Sequence, residues 1–429
     1  MRRLPLLLTI SAGLGVAFGV VAVACDTYDE SLLEPAPDAT VSGPEGRGFG
    51  YWSDRDKECV SAGRPTPQEK PRSSGTGDVG PIVVALSRID LGTTNPYDGG
   101  PAEDEWKRLG FDLDGLCTGR STTCAKGDGP ACAPLRGETP VDGEYCRDNS
   151  FGNLATTLTY AAELTSEFGF GSFDCALCSG VLNLLVRING YNGEANDDAI
   201  DADFFPSAGL DAPLPISCGT QLLPESVCFR SFMPWRIDRR VVTGANPADS
   251  PSTLRSINGF VRDGYVTLFL PDGVPIYFPG QHTMIRPLPI TLHNGVLTGR
   301  IGKGAENTWR IDDGMIGGTT RVAELLESLE AIGLCKGNTN YVVAQGVIEN
   351  VADVLENGKI EPTTPCDSVS VGVGFTALQA TLGAAVEAPV YDYCSGDAGA
   401  SSSGGSSSGG SSSGGSSSGE PSDAAVDGG

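Results

Sequence analysis

Cys366 to Phe375 reads CDSVSVGVGF, and its alternation decides the fold class. Val369, Val371, Val373 and Phe375 fall on one side, with Ser368, Ser370, Gly372 and Gly374 on the other. A period of two belongs to a half-buried strand, here with small residues on its second face. Working outward, similar runs recur at 82–92 (IVVALSRIDLG), 181–190 (VLNLLVRING) and 256–280 (SINGFVRDGYVTLFLPDGVPIYFPG), separated by turn residues. From 284, MIRPLPITLHNGVLTGRIG places Asn294-Gly295 between two apolar runs, a pattern that predicts a tight hairpin.

Three segments carry helical spacing instead: 153–168, 321–334 with a Val322, Leu325, Leu326, Leu329 stripe, and VVAQGVIENVADVLENG. The last predicts a face of Val347, Val351, Val354 and Leu355, stopping at Gly358. The expected fold is mainly β with helical insertions, a β-sandwich-like body over which residues 95–150 lie as disulfide-stapled loops.

The chain begins MRRLPLLLTISAGLGVAFGVVAVAC, two arginines ahead of an uncharged run that ends in small residues at Cys25. Residues 1–24 read as a secretory signal peptide. The run is long enough to span a bilayer, but Pro5 and its glycines weigh against an anchor helix. Ala22-Val23-Ala24 suits ordinary cleavage and also resembles the lipobox of bacterial lipoproteins, cut just before a cysteine.

Cysteine parity separates the two. Thirteen cysteines leave one unpaired in an oxidising compartment. With lipid on Cys25, the remaining twelve (Cys59, Cys117, Cys124, Cys132, Cys146, Cys175, Cys178, Cys218, Cys228, Cys335, Cys366 and Cys394) can all form disulfides. The expected location is therefore a bacterial membrane surface, anchored by lipid and facing the periplasm or the cell exterior.

Residues 25–76 read as the lipidated cysteine and a mostly flexible spacer, and residues 77–394 as the globular body, with two lobes split near 215 as an option. Residues 395–429 carry a tandem SSSGG repeat with nothing to bury, a disordered tail. Removing residues 1–24 takes two arginines and no acid, leaving 27 basic against 54 acidic residues. Such a surface repels phosphate backbones and excludes nucleic acid as a partner. The arginines of FRSFMPWRIDRR (229–240) are expected to pair with these acids.

Asn189 to Phe205 reads NGYNGEANDDAIDADFF. Asn and Asp beside glycine make a turn, AIDADFF makes the next strand, and Asp197, Asp198, Asp201 and Asp203 form a candidate calcium site, against a solvated acidic hairpin. The strand is similar to the Glu-Ile-Asp-x-x-Glu strand of sandwich-fold glucanases, but Ala199 stands where the nucleophile belongs. FDLDGLCTG (111–119) offers a second oxygen-rich turn through Asp112 and Asp114, with a plain turn as the alternative.

Cys175 and Cys178 have dithiol or half-zinc-site spacing, yet a second CxxC is missing, and a structural disulfide is the expectation in an exported chain. The histidines, His282 and His293, lie outside any His-Glu-x-x-His motif. Catalytic residues are not legible.

FDLDGLCTG, YCRDNSFGN, the NGYNGEANDDA turn and CDSVSVGVGF, in that order, resemble a group of uncharacterised bacterial secreted lipoproteins with DLDG, DN-x-FG, NDD-turn and C-D-x-x-S-V-G segments. The resemblance spans about 80–390 and implies a shared envelope-facing fold without a known activity. The expected role is a binding or structural one without catalysis, toward a glycan or an envelope protein. The alternative is a secreted glycan-active or other hydrolytic enzyme.

Overall fold

The computed structural model describes residues 61–93, 102–119, 129–161, 170–216, 225–280, 283–388 and 394. Cys25, Cys59, Cys124, Cys218, His282, the leader and the Ser/Gly tail lie outside the described residues.

The body is strand-rich. In chain order it contains β1 (Ile82–Asp90), β2 (Cys132–Ala133), α1 (Ser150–Ala161), α2 (Phe170–Ser179), β3 (Asn183–Asn189), β4 (Asp197–Leu210) and β5 (Pro234–Asp238). Then follow β6 (Arg255–Arg262), β7 (Tyr265–Phe269), β8 (Val274–Gly280), β9 (Thr283–Lys303), β10 (Trp309–Arg321), α3 (Val322–Ala331) and α4 (Thr339–Asn350). The last are β11 (Glu361–Pro365), β12 (Ser368–Gln379) and β13 (Thr381–Val386).

One large mixed sheet runs through the body. Antiparallel pairing leads from β4 through β3, β1, β12, β10, β9 and β7 to β6. The first half of β4 then pairs with β6, from Asp197↔Val261 to Asp203↔Arg255, and the path closes into a ring. Past Ser207 the far half of β4 pairs with β5, and β5 pairs in parallel with β13, the continuation of β12. Strands from both sides of residue 215 thus share one sheet.

The period of two sorts side chains between two cores. Leu184 and Phe204 join the main cluster with Leu86, Val186, Ile200, Val266, Leu268 and Ile316, while their neighbours Leu185 and Phe205 turn to a second cluster around Trp235 and Ile237. Val369, Val371, Val373 and Phe375 all lie in the main cluster, as the alternation of β12 predicts. Full burial of such a side chain stabilises by about 1.5–3 kcal/mol before ordering entropy is charged against it. Trp106 and Trp235 are core residues, Trp235 against Phe229 edge to face at 5.0 Å.

Two local expectations are corrected. Asn294-Gly295 is not a hairpin turn: β9 runs straight through it, pairing with β8 before it and with β7 after it. Asn294 takes the left-handed φ of 51°, and the β9–β10 register shifts there, so the dipeptide makes a bulge where the strand changes partners. The last predicted helix, α4, ends at Asn350 rather than at Gly358. Beyond it, Val354 forms a bridge with Ser368, and Asp353 is held by Ser370 and Ser150, so this stretch follows β12 instead of coiling on. Helix α2 was not legible as a helix in the sequence.

Residues 61–76, read as spacer, dock in part: Ala62 is buried and exchanges backbone hydrogen bonds with Tyr145 and Asp112. No helix among the described residues is long and apolar enough to cross a membrane.

Candidate metal centre

The second face of β12 builds the site. Its residues are small because main chain lies directly on them: a Cβ on Gly372 would stand 2.6 Å from Gly110 Cα. Next to it, a Cβ on Gly317 of β10 would stand 2.5 Å from the Phe111 ring, which is buried with Val296 and Met315. The DLDG turn is thereby pressed onto the sheet. Gly372 donates its N–H to Asn149 Oδ1 at 2.8 Å, which sets Asp148 beside the turn, and Asp148 N–H donates to Phe111 O at 3.0 Å. The Cys117–Cys146 disulfide closes the loop between the two segments, three residues past Asp114 and two before Asp148. Cys132–Cys366 fastens the same loops to the residues just before β12.

One oxygen from each of Asp112, Asp114 and Asp148 falls within 4.8 Å of the others. Backbone N–H groups hold them: Gly115 donates to Asp112 and Leu113 to Asp148, both at 2.6 Å, and Leu116 to Asp114 at 2.7 Å. Ser61 Oγ donates to Asp112 Oδ2. Asp142 and Asp353 stand behind this trio. Asp142 accepts from Thr118 N–H at 2.5 Å, and Asp353 from Ser370 N–H and Ser150 Oγ, both at 2.8 Å.

Asp112, Asp142, Asp148 and Asp353 are all buried and Asp114 is half-buried. Burial, and then the neighbouring carboxylates, push Asp142 up to about 8 and raise Asp148 well above the usual carboxylate range. Asp353 rises to about 6, chiefly through burial, against the pull of its serine partners. Buried Arg147 stands nearby, donating to the carbonyls of Gly110 and Glu144. Buried carboxylates of like charge have two ways to reach neutrality: keep protons, or exchange them for a cation. An all-oxygen set suits a hard divalent ion such as calcium.

The acidic hairpin is arranged otherwise. Asp203 receives Arg187 Nη2 at 2.7 Å, Asn189 Nδ2 at 3.2 Å and Ser252 N–H at 3.1 Å. Arg187 in turn donates to the carbonyls of Pro247, Ala248 and Ser250, so the buried pair clasps that loop to β3 and β4. Asp201 pairs with Arg255 at 2.8 Å, Asp197 accepts from Asn192 and Ala199 N–H, and exposed Asp198 accepts from Ser73. Arg255 also stands 3.9 Å from Asp203, so an arginine lies between the two strand carboxylates.

Cys178 pairs with Cys228 and Cys175 is disulfide-bonded too, so the CxxC is neither a redox couple nor half a zinc site. Cys335 pairs with Cys394. Of the arginine-rich stretch, Arg236 and Arg240 face Asp211 and Asp238 as expected, whereas Arg230 and Arg239 donate to the carbonyls of Ser226 and Ala385.

The sequence flags Asp112 and Asp114 by their turn, and names the segment of Asp148 only through the resemblance. Asp142 and Asp353 carry no local signal. No protein family, curated protein or solved structure matches this chain.

Proposed function

We propose that the chain is an exported envelope lipoprotein, tethered through lipid on Cys25, whose disulfide-stapled body holds a hard divalent cation such as calcium at Asp112, Asp114 and Asp148. Its role in this reading is binding or structural, toward a glycan or another envelope component at the periplasmic or outer face. The bound ion orders the DLDG turn as part of that surface. In the same reading the ring is flattened into two facing layers, a sandwich, since its opposite walls share one apolar cluster. The likeness to secreted lipoproteins belongs here as well, because its DLDG and DN-x-FG segments are the ones that meet.

The observation that carries the proposal is the convergence of three carboxylates from two segments joined by Cys117–Cys146. Export is supported by the nine described cysteines, every one of them in a disulfide. Two experiments test it. Fatty-acid labelling should mark the wild-type protein and fail on Cys25→Ser. Calcium added to chelator-treated protein should raise the melting temperature, and Asp112→Asn with Asp148→Asn should abolish the rise. Labelling that survives Cys25→Ser, or a melting temperature indifferent to calcium, contradicts the corresponding half.

A further inference from the structure

A second convergence involves a different ligand chemistry. His293, 3 % exposed, sits one residue before the Asn294 bulge in β9, where the strand changes partners. Three carboxylates from three places surround its ring. Asp272, in the turn before β8, lies 2.5 Å from Nδ1; Glu356, beyond α4, lies 3.7 Å from the same nitrogen. Glu324, on α3, lies 2.6 Å from Nε2. Arg321 pairs with two of them, donating Nε to Glu356 at 2.7 Å and Nη1 to Glu324 at 3.1 Å, while Arg64 reaches the carbonyl of Asn294 and Asp367 accepts the Glu356 N–H.

A nitrogen of His293 and one oxygen each of Asp272 and Glu356 lie within 4.8 Å of one another. We propose that these three residues form a binding site for a borderline divalent cation of the zinc type, separate from the all-oxygen centre.

Three features support it. Nδ1 faces two carboxylates while Nε2 is held by a third, as in metal sites where the far nitrogen of a histidine ligand donates to a carboxylate that orients the ring. The three carboxylates share Arg321 as their paired cation, so they outnumber it in the cluster and favour an added cation. Asp272 is 71 % exposed, so an entry path lies at the surface and solvent can complete the coordination. Imidazole with carboxylates favours zinc over calcium, the reverse of the preference at Asp112, Asp114 and Asp148.

The test is calorimetric titration of zinc chloride into chelator-treated full-length protein. One equivalent should bind. Asp272→Asn, at an exposed side chain whose loss leaves the core intact, should weaken that binding about tenfold or more, and His293→Gln should abolish it. Asp112→Asn with Asp148→Asn should leave it unchanged, which separates this site from the first. Zinc binding that is absent, that persists undiminished in Asp272→Asn, or that disappears only in the Asp112 and Asp148 variant overturns the proposal.

Discussion

Asp174→Asn should stabilise the protein at alkaline pH. The carboxyl lies on α2, 3 % exposed, where its Oδ1 accepts the Ile89 N–H of β1 at 3.1 Å and the Arg88 guanidinium stands 3.6 Å from Oδ2. Burial pushes it up to about 7, and neither the N–H nor Arg88 offsets that. A folded value above the unfolded 3.8 means that the native state holds the proton more tightly. The group's contribution is complete below pH 3.8 and is lost as pH rises through 7. The ionised form then costs about 4 kcal/mol, an upper figure from the 3.8-to-7 displacement.

Asparagine keeps the acceptor for Ile89 and never ionises. Thermal or urea melts from pH 3 to 8.5 should therefore coincide for the two proteins at pH 3 and diverge above it. At pH 8 the variant should lead by up to about 8 °C, at about 2 °C per kcal/mol. A variant less stable than wild type at pH 8 would refute the reasoning, because Arg88 would then be holding Asp174 as a needed anion.

Three further outcomes follow from the packing. Asp203→Asn removes the counter-charge of buried Arg187 and should cost about 3–5 kcal/mol in urea denaturation. Replacing Cys132 and Cys366 together by serine opens a crosslink spanning 234 residues and should cost about 5 kcal/mol by the same assay, in the chain-entropy account. Gly372→Ala puts a methyl 2.6 Å from Gly110 and should lower calcium affinity, read by titration, because it lifts the DLDG turn from β12.

Much of the fold was legible because β-strands write their pattern locally. Val369 to Phe375 and Leu184 to Ile188 announce themselves by alternation or apolar continuity, and α3 by the stripe through Leu325 and Leu329. What failed was local chemistry overruled by distant partners. Asn294-Gly295 has the composition of a hairpin, but a residue that tolerates positive φ serves a bulge equally well, and the partner strands decide between them. Val351 to Leu355 keep helical spacing, yet Asp353 and Val354 form bonds to β12 that end the helix early. The ring's closure depends on β4 meeting β6, a register no single strand encodes.

The candidate centre was half visible for the same reason. Asp112 and Asp114 sit in one turn, whereas Asp148 reaches them only through a disulfide and a glycine contact on the sheet. The acidic hairpin looked richer because its carboxylates are dense in sequence. In space arginines and backbone N–H groups face Asp197, Asp201 and Asp203, and the Ser73 hydroxyl faces exposed Asp198.

Anomalous diffraction from crystals grown with calcium tests the central claim most directly. The account predicts a single strong calcium peak among the carboxylates of Asp112, Asp114 and Asp148. A map empty there, or with its peak at Asp197 to Asp203 instead, would contradict it.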